Sequence, residues 1–278
     1  MGDESLTEAV HEATRDLDRW GVKEILCRIH AEDRRAVDAV GRVIPNVARA
    51  VDALVDVLKS GGRWFNVGAG TSGRMGALDA AEIPPTFGLA PSRVQAIIAG
   101  GERALSRAVE GAEDRGEEST RLLRAKGLTQ RDAVVAISAS GRTPFALGAL
   151  EAAREVGARR IAITCDPTSP LAEIAEIAIA PRVGPEVIAG STRMKGGLAQ
   201  KMVLHMLSTT TLVQLGHVAG NLMTNLRPAS HKLRKRATRI VVSLGQVDEA
   251  RAQELIEACG GNVVAALDRA RREPQQTR

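Results

Sequence analysis

The sequence is poor in aromatic residues. Its 278 residues include three phenylalanines, two tryptophans and no tyrosine. Proteins that bind single-stranded nucleic acid commonly stack the bases on aromatic side chains, so this scarcity argues against nucleic-acid binding. Hydrophobic residues still make up 44% of the chain, and the core must therefore be built from alanine, valine, leucine and isoleucine.

Cysteine is also scarce, and Cys27, Cys165 and Cys259 lie far apart without C-x-x-C spacing. This usage is typical of a reduced, cytoplasmic protein with no disulfide framework and no zinc site. His, Cys and carboxylate residues form no cluster with the spacing of metal ligands, so we predict no metal. No apolar run is long enough to cross a membrane, and residues 1–5 are unlike a signal peptide.

The charge of the chain gives a weaker indication. The formal net charge of +5 suits an anionic partner, but it does not distinguish a phosphorylated metabolite from nucleic acid. Much of the basic excess lies in residues 231–236 and 269–272, where solvated helix faces are the favoured interpretation.

Residues 64–88 have the pattern strand, glycine loop, helix. Residues 64–67 predict a buried strand, and residues 74–82 have helical composition closed by Pro84 and Pro85. Free N–H groups at a helix start bind anions such as phosphate, although an ordinary turn remains the alternative. No lysine follows and the third glycine comes early, so neither a P-loop nor a dinucleotide fingerprint fits. The candidate ligand residues of this first loop are Gly70, Thr71, Ser72 and Gly73.

Two more loops carry hydroxyl groups to helix starts. The second loop follows a strand at 132–137, and Pro144 suits the first position of the next helix. The third loop, residues 183–195, opens a long helix. The candidate ligand residues are Ser138, Ser140, Gly141, Arg142 and Thr143 in the second loop, and Glu186, Ser191, Thr192 and Lys195 in the third.

Strands alternate with helices through the middle of the chain. The predicted strands are 64–67, 94–99, 132–137, 160–164 and 177–180. This alternation predicts an α/β fold whose parallel sheet is covered by helices on both faces. Ligands of such sheets bind beyond the carboxyl ends of the strands, where the first two loops fall.

The two ends of the chain differ from this middle part. Residues 1–32 predict an N-terminal arm with a short helix, and residues 36–58 predict two long helices by their apolar spacing. We therefore predict an arm (1–32), a phosphosugar-binding domain (33–244) and a small helical C-terminal appendage (245–278). The appendage has small helices at 250–258 and 263–270 and a disordered end at 273–278.

Carboxylates near the loops suggest chemistry as well as binding. Glu82 lies close to the first loop, and Glu110 and Glu113 lie in an acidic stretch, 102–117, that predicts a helix. Removing a proton beside a carbonyl needs a base, and expelling an alkoxide needs a proton donor. Acidic residues so close together are typical of a solvated helix face, so the residues alone indicate a phosphosugar isomerase or lyase and no more.

Six segments together resemble the N-acetylmuramic acid 6-phosphate etherases. The similarity extends from about Leu17 to Ala237 and rests on residues 68–74, 78–88, 98–101, 108–114, 140–144 and 190–195. It implies a sugar isomerase (SIS) fold, a three-layer sandwich, and a homodimer without a cofactor. The implied reaction cleaves the lactyl ether of a phosphorylated amino sugar to N-acetylglucosamine 6-phosphate and D-lactate.

The resemblance also implies roles for residues. Glu82 matches the proton donor of the family and Glu113 its second catalytic glutamate, which leaves Glu110 as a bystander. Ser72 and Ser140, with their neighbours Thr71, Gly73 and Thr143, match the phosphosugar cradle.

The chain departs from the family pattern at several positions, which bear on substrate identity more than on reaction type. They are Ala9–His11, Ile83, Leu198, His205 and Ser230. Three alternatives stay open: a phosphosugar sensor without catalysis, as in the glucokinase regulatory proteins, a lyase for a related phosphosugar ether, and a nucleic-acid-binding regulator. Retention of Glu82 and Glu113 favours an enzyme over a sensor, and the scarcity of aromatic residues places the regulator last.

Overall fold

The computed structural model describes residues 6–225 and 231–272. Ser230 and the predicted disordered end, 273–278, lie outside the described residues. One parallel sheet has the strand order β2-β1-β3-β4-β5, and helices flank it. The strands are β1 (Trp64–Gly68), β2 (Val94–Ile98), β3 (Ala133–Ile137), β4 (Arg159–Ile163) and β5 (Ile177–Ile179). Each lies within one residue of its predicted bounds, so the predicted α/β class is confirmed.

The sheet places the first two loops side by side. Strands β1 and β3 are neighbours, and Gly68 at the end of β1 pairs with Ile137 at the end of β3. Both strands are buried along their whole length, as expected of a parallel sheet covered on both faces. The loops that follow them therefore start from adjacent points on one edge of the sheet.

The helices up to residue 214 mostly follow the predicted order. They are α1 (Val22–Arg42), α2 (Ile44–Lys59), α3 (Gly70–Phe87), α4 (Arg103–Ser106), α5 (Gly116–Ala125), α6 (Pro144–Val156), α7 (Pro170–Ile174) and α8 (Lys195–Gln214). Two single 3-10 turns, Glu12–Thr14 and Leu17–Arg19, precede them. Helix α1 begins inside the predicted arm, so the short helix expected there is the first half of a long one.

Helix α3 is longer than predicted at both ends. It begins at Gly70 and continues through Pro84 and Pro85 to Phe87, so the prediction that the prolines close the helix was wrong. Each proline removes one backbone donor, so the helix loses two hydrogen bonds without being broken. The Gly88 N–H donates to the Pro84 carbonyl at 2.9 Å, and Gly88 has a φ of +69°, which ends the helix.

The acidic stretch 102–117 is not one helix, and that prediction was also wrong. Helix α4 is a single turn, and an irregular loop joins it to α5. Gly111 in this loop has a φ of +69°, a left-handed conformation that interrupts a helix. Glu110 and Glu113 are therefore exposed loop residues.

The chain divides into two compact units. The first comprises Met1–Ala80 and Ser92–Thr211, and the second comprises Ala81–Pro91 and Leu212–Arg278. The second unit contains α9 (His231–Gly245), α10 (Glu249–Ala258) and α11 (Val263–Arg272), which share a hydrophobic core that includes Val241, Leu255 and Leu267. The domain boundaries at 32 and 244 stay a prediction.

Candidate active site

The first loop forms the start of α3 against the end of β1. A Cβ added at Gly73 would lie 2.6 Å from the Gly68 carbonyl oxygen, so only glycine permits this approach. Thr71 and Ser72 are half-buried in the first helical turn, and neither hydroxyl has a partner within the described part of the chain. The first turn thus offers N–H groups and two hydroxyls to an anion.

The second loop is a network of hydroxyl groups at the start of α6. Ser138 is buried, and its Oγ shares hydrogen bonds with Thr143 Oγ1 at 2.9 Å and Ser140 Oγ at 3.4 Å. The Gly141 N–H donates to Ser138 Oγ at 3.0 Å, and Pro144 begins the helix as predicted. The Arg142 guanidinium lies 3.4 Å from buried Asp166; its predicted contact with a ligand stays a prediction.

Replacing Gly141 with alanine should destabilise the chain by about 2–4 kcal/mol, the sum of backbone strain and overpacking. Gly141 has a φ of +66°, and an added Cβ would lie 2.1 Å from the buried Ser169 Oγ. Gly127→Ala is the matched control, since Gly127 has a φ of +65° but no atom within 4 Å of an added Cβ. Urea unfolding of both variants measures the difference, and equal losses would contradict the packing argument.

The third loop is capped by a buried glutamate. Glu186 is fully buried, and its two carboxylate oxygens accept the N–H groups of Lys195 at 3.0 Å and Gly196 at 2.8 Å. Burial raises the pKa of Glu186, and these two hydrogen bonds oppose the rise. The carboxylate thus satisfies donors at the start of α8 that would otherwise lack partners. The prediction that Glu186 contacts a ligand stays a prediction.

The start of α8 contacts the other two loops. A Cβ added at Gly197 would lie 3.3 Å from Thr71 Cγ2 of the first loop, and one at Gly196 would lie 3.4 Å from Ala139 Cβ of the second. Ser191 and Thr192, just before this helix, are half-buried. The structure therefore brings the three predicted loops together at one edge of the sheet.

Lys195 faces away from solvent into a buried ion pair. Its Nζ lies 2.6 Å from Glu32 Oε2, and the two side chains are 1% and 2% exposed. Burial alone would raise the pKa of Glu32, but hydrogen bonds and charge from Lys195 and His11 outweigh it and the pKa is lowered. Glu32 was not predicted from the sequence, because nothing local marks it. The predicted ligand contact of Lys195 stays a prediction.

The N-terminal arm packs on the third loop. Thr14 Oγ1 donates to the Val187 carbonyl at 2.9 Å, and the Gly190 N–H donates to the Thr7 carbonyl at 3.2 Å. His11 Nε2 lies 3.1 Å from Glu32 Oε1. The arm therefore contacts the middle of this loop, and the buried pair holds its end at Lys195.

A backbone hydrogen bond positions Glu113, and its carboxylate is exposed. The Phe145 N–H in the first turn of α6 donates to the Glu113 carbonyl at 3.0 Å. Arg74 of α3 holds the start of the same loop. Its Nε donates to the Ala104 carbonyl at 2.8 Å, and one terminal nitrogen donates to the Arg107 carbonyl at 3.1 Å. The motif around Arg74 was recognised in the sequence, but this anchoring role was not.

Glu82 is an exposed residue of α3. Within residues 6–225 and 231–272, neither the Glu82 nor the Glu113 carboxylate has an ion-pair or hydrogen-bond partner. Both groups are therefore available for proton transfer.

Asp79, also on α3, is a buried carboxyl group that sequence reasoning missed. Ser208 Oγ donates to its Oδ1 at 2.9 Å, while Oδ2 has no partner in the described part of the chain. Burial raises the pKa of Asp79 to about 6, and the Ser208 hydrogen bond and Lys201 charge oppose the rise only in part. This contact ties α3, which opens the first loop, to α8, which follows the third.

The raised pKa of Asp79 predicts a specific pH dependence. Between about pH 4 and 6 the folded state binds more protons than the unfolded chain, so stability falls as pH rises through this window. Asp79→Asn removes this group from the titration. Between pH 4 and pH 8, we expect the free energy of unfolding of Asp79→Asn to rise relative to that of the wild-type chain by up to about 3 kcal/mol. Denaturant titrations at both pH values measure this gain, and parallel curves would contradict it.

Comparison with known proteins places the chain in a family. Residues 46–154 match the glucokinase regulatory protein N-terminal SIS domain, and residues 120–210 match the SIS domain. N-acetylmuramic acid 6-phosphate etherase 1 of Enterococcus faecalis is 48% identical over 261 residues, 94% of this chain and 87% of the relative. The etherase of Symbiobacterium thermophilum is 48% identical over 262 residues, with the same two coverages. The chain belongs to the N-acetylmuramic acid 6-phosphate etherase family.

Solved structures agree on the fold. Phosphoheptose isomerases of Neisseria gonorrhoeae and Francisella tularensis each have a TM-score of 0.52 and 19% identity. Each comparison covers 69% of this chain and 98% of the isomerase. With the SIS domain matches, they confirm the SIS-type fold predicted for this etherase-family chain.

Of the positions that depart from the etherase pattern, His11 contacts the buried Glu32 carboxylate, and three others lie in α3 and α8. Ile83 is buried, Leu198 is half-buried, and His205 is exposed with Nδ1 2.8 Å from the Lys201 carbonyl. In the described part of the chain, no three His, Cys, Asp or Glu side chains group to hold a metal. None of the described helices is long and apolar enough to cross a membrane.

Proposed function

We propose that this chain cleaves the lactyl ether of N-acetylmuramic acid 6-phosphate to N-acetylglucosamine 6-phosphate and D-lactate. The supporting observation is the meeting of three hydroxyl-bearing loops at helix starts, in a chain 48% identical over 94% of its length to relatives named for that etherase. We propose a phosphorylated amino sugar as the only small-molecule partner, with no cofactor, metal, nucleic acid or membrane.

The loops supply the binding chemistry in this proposal. The phosphate takes N–H groups at the start of α3 and the hydroxyls of Thr71 and Ser72, because helix starts carry partial positive charge. Ser138, Ser140 and Thr143 present a second row of hydroxyls to the sugar. Ser191 and Thr192 of the third loop lie at the border of the site. Three glycines allow the backbone to approach the sugar phosphate: Gly70, Gly73 and Gly141.

Two carboxyl groups supply the proton transfers. Opening of the sugar ring exposes the C1 aldehyde, which makes the C2 proton acidic. A carboxylate removes that proton, the C3–O bond breaks, and the lactate oxygen takes a proton from a carboxyl group. Water then adds at C3 and C2 regains a proton, so protons balance over the cycle. We assign Glu82 as the proton donor and Glu113 as the second catalytic glutamate.

The setting of the reaction belongs to the same proposal. We propose a cytoplasmic homodimer that serves amino sugar catabolism and peptidoglycan recycling. The family named for this reaction and the reduced-protein pattern of the three cysteines support it.

A phosphosugar sensor is the second candidate, favoured by the match of residues 46–154 to the N-terminal SIS domain of glucokinase regulatory protein. Incubation with the muramyl substrate in ¹⁸O-labelled water separates the two. Elimination followed by water addition predicts one ¹⁸O at C3 of the sugar product and none in D-lactate, measured by mass spectrometry. A sensor predicts thermal stabilisation by the sugar phosphate with no product, and label in D-lactate would contradict cleavage of the C3–O bond.

A further inference from the structure

The first unit contains a cationic cavity between α1 and the start of the third loop. It measures about 410 Å³ and is lined by Arg35, Asp38 and Arg42 of α1, by residues 182–185 after β5, and by Lys195. Four of its side chains are cations and one is a carboxylate, so the cavity has a positive field.

Two of these cations make no ion pair within the described residues, although the Asp38 carboxylate lines the same cavity. Lys195 and Arg35 both lie within 3.1 Å of Glu32. Arg42 and Arg182 make no ion pair or hydrogen bond within the described residues, although they line the same cavity. Like charges held in one concavity repel each other, and an anion bound between them would offset that repulsion.

We propose that this cavity is a second anion site, which binds a small organic phosphate between Arg42 and Arg182. Guanidinium groups bind phosphate oxygens through charge-assisted, often bidentate, hydrogen bonds. The volume is within the range of small-molecule sites. The proposal does not depend on the proposed catalytic function, although the cavity shares Lys195 and residues 183–185 with the third loop.

The position of the cavity also suggests what an occupant would do. Pro185 lines it and directly precedes Glu186, the residue that caps α8. An anion that orders residues 182–185 therefore steadies the third loop, which carries Ser191 and Thr192.

Equilibrium dialysis of radiolabelled inorganic phosphate at constant ionic strength tests the site. We expect the wild-type chain to bind one more phosphate per chain than Arg42→Gln/Arg182→Gln, whose affinity at this site falls at least tenfold. Both arginines are exposed, so the double variant should fold normally, as circular dichroism checks. Arg49→Gln/Arg131→Gln removes the same charge from exposed positions elsewhere and should bind like wild type.

Either of two results would overturn the proposal. Equal phosphate binding by wild type and both double variants would show that the cavity holds no anion. An equal loss in both double variants would show that only net charge matters. The D-lactate assay is separate, so failure of the catalytic proposal leaves this result unaffected.

Discussion

Glu113→Gln should reduce D-lactate release by roughly 10²–10⁴-fold, the usual contribution of a general acid or base. Glu82→Gln should do the same, because glutamine keeps the shape of the side chain but cannot act as a general acid or base. Both glutamates are exposed and unpartnered within the described residues, so the free energy of unfolding should change by no more than about 0.5 kcal/mol. Steady-state kinetics and urea unfolding of each variant measure the two effects.

Glu110→Gln is the matched control for this prediction. Glu110 occupies the same loop as Glu113, is exposed, and has no side-chain partner in the described part of the chain. The control should retain near wild-type kcat. A Glu113→Gln variant with full activity would remove Glu113 from the mechanism, and a Glu110→Gln variant as inactive as Glu113→Gln would assign the loss to the loop.

Lys195→Met should destabilise the chain by about 3–5 kcal/mol, because it leaves the buried Glu32 carboxylate without its closest partner. Arg35 and His11 remain near Glu32, but they cannot fill the position of the Lys195 ammonium. Urea unfolding measures the loss. Loss of the pair also removes one of the two anchors of the start of α8, the other being the Glu186 cap, so KM for the sugar phosphate should rise more than kcat falls.

The Glu32→Met/Lys195→Met double variant separates charge from packing. Replacing both ions with apolar groups avoids an unpaired buried charge, which is often close to neutral in free energy. The double variant should therefore recover most of the stability lost in Lys195→Met. A Lys195→Met variant within 1 kcal/mol of wild type, or a double variant less stable than Lys195→Met, would contradict the buried-pair account.

The sheet could be predicted from the sequence because its signals are local. Short apolar runs bounded by glycine and polar residues marked all five strands within one residue. The positions of the loops could then be predicted from the ends of the strands. Only a short helix was predicted in the first half of α1, where Glu32 is the only buried residue before Ala36. Its apolar residues, Val22, Ile25, Leu26 and Ile29, do recur at helical spacing, so the helical pattern there was not followed to its full length.

The site was predictable where its residues form continuous motifs, and less so where it depends on distant partners. The three loops were found from hydroxyl groups at helix starts, and the structure brings them together. The burial of Lys195 was not foreseen, since its partner Glu32 lies 163 residues away along the chain. Similarly, the acidic composition of residues 102–117 favoured a helix, while the left-handed Gly111 makes a loop that exposes Glu113.

The most direct test of the central claim is a coupled assay for D-lactate released from N-acetylmuramic acid 6-phosphate, run on the wild-type chain and on Glu82→Gln. The proposed function predicts stoichiometric D-lactate and N-acetylglucosamine 6-phosphate from the wild-type chain and at least about a hundredfold slower release from the variant. The etherase function would be contradicted if the wild-type chain is folded and is stabilised by the same sugar phosphate but releases no D-lactate.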